Sequence, residues 1–94
     1  MKIKKQEHNK KGAFYIEEDG EWIAEMTYYR EGTRKLVIDH TEVSDKLKGK
    51  GIATKLVQAA VKYARERNLL IKPVCPFAKK VLESSEEYED VLTR

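Results

Sequence analysis

The chain has 94 residues, of which 40% are hydrophobic and 37% are charged. This is the length of one small domain with a single core, and we predict one domain over residues 1–94. The single cysteine excludes an internal disulfide, and the two distant histidines do not make a zinc site. The charged N-terminus has no apolar signal-peptide segment, and no apolar run approaches the ~20 residues that cross a bilayer. We therefore expect a cytoplasmic protein in a reducing setting, with no membrane partner.

The net charge of +3 is unevenly distributed along the chain. Residues 1–44 carry a net charge of −1 and residues 73–94 a net charge of −2, whereas residues 45–72 carry +6. Positive charge is therefore concentrated in one glycine-containing segment and the region behind it. This pattern predicts an anionic partner, which can be a nucleic acid, a membrane surface or a phosphorylated small molecule.

The first elements predicted in chain order are three antiparallel strands. Residues 13–29 predict a β-hairpin, because Asp19-Gly20 is a strong two-residue turn signal. After this turn every second residue is apolar or aromatic, which predicts one apolar face made of Trp22, Ala24, Met26 and Tyr28. Residues 30–33 predict a second turn, and residues 34–43, rich in β-branched side chains, predict a third strand. The three strands together form a meander.

The hydrophobic period then changes to that of a helix. Apolar residues recur at helical spacing over Ile52–Arg67 and predict a long helix there. Residues 69–74 predict a short strand, so the order strand–helix–strand implies a crossover and a parallel pair. Pro76 suits the first position of a helix over Pro76–Glu83, and the spacing of Ser84 and Glu87 predicts a capping box and a last short helix. The predicted fold is mixed α/β, with an antiparallel meander, a β-α-β crossover and two short C-terminal helices.

The basic segment begins with DKLKGKG, Asp45 to Gly51, directly before the predicted long helix. The first N–H groups of a helix have no partner within it, and the helix dipole favours negative charge there. Glycines permit positive φ and let the backbone approach a phosphate closely. The segment is too short for a Walker A motif and lacks the third glycine of the dinucleotide fingerprint. It is therefore either an anion-binding loop or an ordinary basic surface loop.

The spacing Lys46-x-x-Gly49-x-Gly51 resembles the [RQ]-x-x-G-x-[GA] acetyl-CoA signature of the GNAT N-acetyltransferases. Residues 38–77 resemble a small, single-domain GNAT-like family whose pattern combines H-T-x-V, G-x-G-I-A and P-x-C around a long helix. The ending EEYEDVL also fits that family, so the resemblance covers the chain from about Trp22 onward. It implies a compact GNAT-like fold and an acetyl-CoA-dependent N-acetyltransferase that transfers an acetyl group to an amine.

The resemblance also implies where the cofactor lies. The loop amides would hold the pyrophosphate, and the strand before the loop would supply an N–H to the thioester carbonyl. The pantetheine arm would lie where that strand splays from the strand ending at Val74. The implied cofactor-binding residues are Thr41, Val43, Lys46, Leu47, Lys48, Gly49, Lys50, Gly51, Ile52 and Ala53.

The chain departs from the wider superfamily in two ways. Lys46 stands where the signature has Gln or Arg, which keeps a cation but loses the planar fork. The chain is shorter than an ordinary GNAT enzyme and lacks the helices that shape the acceptor pocket, and the last strands as well. An open site of this kind suggests a bulky amine as acceptor, such as a protein lysine or N-terminus. The sequence does not determine the acceptor or the oligomeric state.

Cys75 and His40 are the candidate catalytic residues, and the acyl group would lie near both. Cys75 precedes Pro76 and is therefore placed as the N-cap of a helix, where a thiolate is stabilised. It is either a nucleophile, an acid for the departing CoA thiolate, or a small buried hydrophobe. His40 is either a general base, because imidazole titrates near neutral pH, or a structural residue that alternates with Leu36 and Ile38.

Two other functions compete with acetyl transfer. An acyl-CoA-binding module without turnover would use the same loop and would differ in a turnover assay. A nucleic-acid-binding domain would use the +6 segment, but base-stacking aromatics are not interleaved with its lysines and no helix-turn-helix spacing is present. We therefore expect acetyl-CoA and an amine acceptor as partners, and no nucleic acid.

Overall fold

The computed structural model describes residues 2–93. These residues form five strands, two α-helices and two 3₁₀ turns. In chain order the elements are β1 (Lys4–His8), β2 (Lys11–Glu18), β3 (Glu21–Glu31), β4 (Lys35–Val43), a 3₁₀ turn (Asp45–Leu47), α1 (Ile52–Arg67), β5 (Leu70–Pro73), α2 (Pro76–Glu83) and a second 3₁₀ turn (Glu86–Tyr88).

The strands form one sheet in the order β1-β2-β3-β4-β5. The pairs from β1 to β4 are antiparallel, and β4 pairs with β5 in parallel across the α1 connection. The predicted meander, the parallel pair and the mixed α/β class are therefore confirmed. The bounds of both α-helices also agree with the prediction, because each has a clear start signal and a local hydrophobic period.

Strand β1 was not predicted. All five of its residues are exposed, so its sequence KKQEH has no apolar alternation to indicate a strand. It joins β2 through a tight turn in which Asn9 and Lys10 have φ of 51° and 67°. Asparagine tolerates this conformation, but Asn-Lys is a weaker hairpin signal than Asn-Gly. Pairing with β2 therefore defines β1, and its own side-chain pattern does not.

Two bulges change which side chains face the core. The register between β2 and β3 shifts so that Ile23 is an extra residue, and Ile23 is buried while Trp22 is 37% exposed. The prediction that Trp22 shares the apolar face of Ala24 is therefore wrong. Trp22 instead stacks on Tyr15 on the outer face of the sheet, with ring centroids 4.1 Å apart. The second bulge inserts Asp39 into β4 and has the same effect on the residues that follow it.

One hydrophobic core joins the inward side chains of β2, β3 and β4 to the buried faces of α1 and α2. In α1 the fully buried positions recur at helical spacing, at Leu56, Val57, Ala60 and Ala64. Burying one large aliphatic side chain is worth roughly 1.5–3 kcal/mol, so this stripe fixes α1 against the sheet. The start of α1 is thereby held at the carboxyl end of β4.

The C-terminal segment closes the free edge of β5. The N–H of Ile71 donates to the carbonyl of Val91, and the N–H of Thr93 donates to the carbonyl of Ile71. The predicted capping box at Ser84 and Glu87 is not formed; Ser85 is the N-cap of the last turn, and its Oγ accepts from the N–H of Glu87. Ser84 ends α2 instead, with its hydroxyl donating to the carbonyl of Val81.

Within residues 2–93, none of the helices is long and apolar enough to cross a membrane.

Candidate functional site

The glycine loop connects β4 to α1 through one 3₁₀ turn. Gly49 has φ of 80° and Gly51, the N-cap residue of α1, has φ of 70°. L-residues rarely adopt these values, so the backbone path of the loop requires glycine at both positions. A Cβ at either glycine would meet no atom within 4 Å. The requirement is therefore conformational, and there is open space beside the backbone.

The N-terminus of α1 is open. Within residues 2–93, no side chain caps it. The first helical hydrogen bond runs from the N–H of Lys55 to the carbonyl of Gly51, so the amides of Ile52, Ala53 and Thr54 precede it. These amides and the dipole of a 16-residue helix make a favourable place for a negative charge.

A cleft of about 230 Å³ lies over this helix start. It reaches from the end of β4 across the glycine loop to the first turn of α2. Its lining residues are Val43, Leu47, Lys48, Gly49, Gly51, Ile52, Ala53, Thr54 and Phe77. Seven of the ten predicted cofactor residues are in this set, and the cleft adds Thr54 and Phe77, which sequence reasoning missed. Phe77 is 39% exposed and could have been noticed as an apolar residue one step beyond the helix start at Pro76.

Two of the three loop lysines form ion pairs with carboxylates. Lys46 Nζ lies 2.5 Å from Glu18 Oε1, and Lys48 Nζ lies 2.8 Å from Asp45 Oδ1. The hydrogen bond to Glu18 raises the pKa of Lys46, and the bond to Asp45 raises the pKa of Lys48. Both ammonium groups are thus charged at neutral pH. Among residues 2–93, Lys50 takes part in no ion pair.

Strands β4 and β5 separate next to the cleft. Their pairing ends at Ile38 and Pro73, while β4 continues to Val43. The carbonyl of Ile38 accepts from the N–H groups of both Val74 and Cys75, at 2.9 Å each, which turns the chain away from β4 into α2. The last five residues of β4 therefore have no β5 partner on that side, as in the splay that the resemblance implies.

Cys75 and Thr41 face each other across this splay. Cys75 is the N-cap residue of α2, but its side chain makes no capping hydrogen bond. Its thiol lies 3.4 Å from Thr41 Oγ1 and is in hydrogen-bond contact with it. Cys75 is only 6% exposed, whereas its neighbours Val74 and Phe77 are 55% and 39% exposed. The thiol is thus buried, although the chain on either side of it carries exposed apolar side chains.

His40 lies on the other face of the sheet. The bulge at Asp39 reverses the alternation of β4, so His40 pairs with Thr27 on the outer face. His40 therefore does not share the face of Leu36 and Ile38, as the alternation in the sequence had indicated, and its side chain is 57% exposed. His40 Nε2 lies 3.5 Å from Glu42 Oε1. The fold thus brings Thr41 to the thiol and turns His40 to solvent.

A splayed parallel pair, a glycine turn and an uncapped helix N-terminus together form a place where backbone amides favour an anionic group at the carboxyl end of β4 and β5. The profile of the GCN5-related N-acetyl-transferases matches residues 13–91. The chain belongs to the GCN5-related N-acetyltransferase family. Membership of this family favours an enzyme over a binding module without turnover.

Solved structures agree with this assignment. A GCN5-like N-acetyltransferase candidate from Staphylococcus aureus, solved by NMR, is 39% identical, with a TM-score of 0.72 over 96% of this chain and 87% of its own. A ribosomal-protein-alanine N-acetyltransferase from Brucella melitensis is 24% identical and shares the fold, with a TM-score of 0.61 over 90% of this chain and 64% of its own. A GNAT acetyltransferase from Elizabethkingia anophelis, crystallised with acetyl-CoA, is 16% identical, with a TM-score of 0.56 over 66% of this chain and 41% of its own.

The chain thus spans less than two thirds of the second and third of these structures. No curated protein matches the sequence significantly.

Proposed function

We propose that this protein uses acetyl-CoA to acetylate an amine, with the cofactor in the cleft at the start of α1. The observation that carries the proposal is the continuity of the cleft, which joins the uncapped amides of α1 to Phe77 in the first turn of α2, the helix that begins after Cys75. The open space at Gly49 and Gly51 lets a phosphate approach the loop backbone. The residues present therefore fit the phosphate end of the cofactor.

The roles of the binding residues follow from their positions along the cleft. The amides from Leu47 to Ala53 surround the helix start and would hold the pyrophosphate, with Lys46, Lys48 and Lys50 supplying positive charge. The unpaired edge of β4 from Thr41 to Val43 would bind the pantetheine arm and direct a backbone N–H at the thioester carbonyl. Such a donor stabilises the oxyanion that develops when the carbonyl is attacked.

Cys75 is the proposed nucleophile. Its sulfur would bond to the acetyl carbon while the bond from that carbon to the CoA sulfur breaks, and the CoA sulfur would leave with the electron pair and take up a proton. The acceptor amine, in its neutral form, would then displace Cys75 and form the amide. In the alternative route the amine attacks the thioester directly and the Cys75 thiol protonates the departing CoA sulfur.

The proposed acceptor is an amine on a protein or another bulky molecule. The chain on either side of Cys75 is open to solvent, because Val74 and Phe77 are exposed apolar residues. His40 lies on the outer face, so it would act as the base only for an amine that reaches the splay between β4 and β5 from that face. An exposed histidine beside Glu42 is accessible to such an acceptor without any rearrangement of the core.

An NMR titration with acetyl-CoA tests the cofactor site directly. We expect the largest amide shifts in residues 47–53, and only small shifts in the Asp19-Gly20 turn. CoA without the acetyl group should shift the same amides and leave a difference near Cys75. Largest shifts in the hairpin turn would contradict the assignment of the cofactor site.

Turnover assays with peptides and with small amines test the proposed acceptor. Faster turnover with peptides is expected for a bulky acceptor.

A further inference from the structure

The hydroxyl of Thr41 is the only side-chain hydrogen-bond partner of the Cys75 thiol within residues 2–93. The two residues are 34 positions apart and meet only because β4 continues past the end of β5. Thr41 stands opposite Met26, which is fully buried, so its side chain points to the core face of the sheet where the thiol also lies. The contact is therefore built by the register of the sheet.

A hydroxyl serves both protonation states of a thiol. It accepts a hydrogen bond from S–H, and after rotation of its own O–H it donates one to a thiolate. Hydrogen bonds to charged groups are the stronger kind, so this partner favours the thiolate over the thiol. Since Cys75 is almost fully buried, water is poorly placed to provide the same stabilisation.

We propose that Thr41 is a positioning residue that orients the Cys75 sulfur toward the splay and stabilises its thiolate. The catalytic meaning of this role rests on the proposed function. In the first half of the reaction the sulfur loses its proton as it bonds to the acetyl carbon, and the departing CoA sulfur takes up a proton. In the second half the same sulfur leaves the acetyl group with its electron pair. Thr41 would donate a hydrogen bond to the sulfur in both halves. It would not take up the proton that the sulfur loses.

Alkylation of Cys75 by iodoacetamide tests the hydrogen bond without any reference to acetyl transfer. Thr41→Val removes the hydroxyl at nearly constant volume and should slow alkylation near neutral pH by about tenfold. Thr41→Ser restores the hydroxyl and should restore most of the rate. At strongly alkaline pH the thiol is ionised in every variant, so the three rates should converge.

Thr27→Val is the matched control. Thr27 lies on the adjacent strand β3 and donates to Asp39 Oδ1 at 2.6 Å, on the face away from the thiol. The same chemical change there should leave the alkylation of Cys75 at the wild-type rate. A comparison of thermal unfolding shows whether the two valine variants are equally well folded.

Three outcomes would overturn the proposal. Thr41→Val could react as fast as the wild type, it could be slowed equally at every pH, or Thr41→Ser could fail to recover the rate. The second outcome would mean that Thr41 controls access to the thiol and not its ionisation.

Mass spectrometry after mixing with acetyl-CoA separates this inference from the proposed function. Slower acetylation of Cys75 in Thr41→Val at saturating acetyl-CoA supports both. A wild-type protein that transfers acetyl groups without ever acetylating Cys75 contradicts the nucleophile, while the alkylation profile still decides the role of Thr41.

Discussion

At Gly49 and Gly51 a single backbone angle decides the shape of the loop. Both residues have positive φ, with room for a side chain but no favourable conformation for one. The cost of substitution is therefore strain in the loop backbone, and the strain changes the direction of the amides that precede α1. Gly20 has a similar φ of 81° and similar open space, but it lies in the hairpin turn between β2 and β3.

Replacement of Gly49 by valine should weaken acetyl-CoA binding by roughly 1–3 kcal/mol, the scale of a forced backbone conformation at a functional site. Isothermal titration calorimetry measures this effect. Gly20→Val carries the same strain and should lower stability while leaving the affinity unchanged. Normal binding by a folded Gly49→Val protein would contradict the role of the loop backbone.

Replacement of Cys75 by alanine should retain acetyl-CoA binding and lose most of the transfer activity. The phosphate contacts lie in the loop, whereas the thiol lies beside Thr41 at the start of α2. Cys75→Ser should behave like alanine, because a hydroxyl is a far poorer nucleophile at neutral pH. Steady-state kinetics with the acceptor check this prediction. Transfer by Cys75→Ala at the wild-type rate would show that the amine attacks the thioester directly.

At the scale of elements, one carboxylate of β1 adds side-chain contacts to the pairing of this strand with β2. Glu7 Oε1 accepts from the hydroxyl of Tyr28 at 2.7 Å and from the hydroxyl of Tyr63 at 3.3 Å. Tyr63 belongs to α1, so Glu7 ties an exposed edge strand to both the sheet and the helix. The hydrogen bond from Tyr28 is the main reason why the pKa of Glu7 is lowered. The pKa of the Tyr28 phenol is raised, mainly because the side chain is buried and secondly because its hydroxyl is bonded to Glu7.

The sign of the resulting pH dependence follows from the lowered pKa of Glu7. The folded state prefers the carboxylate, so its stabilisation is complete above the ordinary carboxyl range and is lost as the pH falls through the folded pKa. Glu7→Gln should therefore be less stable than the wild type at neutral pH, by about 0.5–1 kcal/mol, because solvent screens an exposed carboxylate and glutamine keeps one oxygen acceptor. Below the folded pKa the difference between the two proteins should shrink.

Urea unfolding from neutral to acidic pH measures this difference. Glu66→Gln, which changes an exposed carboxylate on α1, is the control and should give a constant small difference across the range. A Glu7→Gln protein whose stability runs parallel to that of the wild type at every pH would show that Glu7 does not hold β1 through its charge.

At the scale of the whole molecule, positive charge is concentrated in one segment of an otherwise nearly balanced chain. Residues 45–72 carry a net charge of +6 in a chain whose total is +3, and three of the lysines, Lys46, Lys48 and Lys50, lie in the loop before α1. Long-range attraction of this kind raises the affinity and the association rate for an anionic ligand and is screened by salt.

The affinity for acetyl-CoA should therefore fall as the ionic strength rises, by about threefold to tenfold between roughly 0.05 and 0.5 M salt. Lys50→Ala should reduce this dependence, because Lys50 lies in the loop and makes no ion pair among the described residues. Lys72→Ala on β5 removes the same charge away from the cleft and should change the slope less. An affinity that is independent of salt would contradict the electrostatic role of the loop.

The sequence by itself determined the elements whose signals are local. The bounds of α1 follow from its hydrophobic period and the glycine before it, and those of α2 follow from Pro76. The glycine loop was recognisable for the same reason, because Gly49 and Gly51 lie within a few residues of the helix that they open. Local signals suffice there, since capping and helical periodicity act over one or two turns.

Only the tertiary structure decided which residues share a face of the sheet and which side chains are in contact. Strand pairing is non-local, and one extra residue at a bulge sends every later side chain to the opposite face. The bulge at Ile23 turned Trp22 outward, and the bulge at Asp39 did the same to His40. Strand β1 exists only through its pairing with β2, because its exposed residues carry no pattern of their own. The contact between Thr41 and Cys75 likewise depends on the position at which β4 and β5 stop pairing. No local sequence pattern indicates that position.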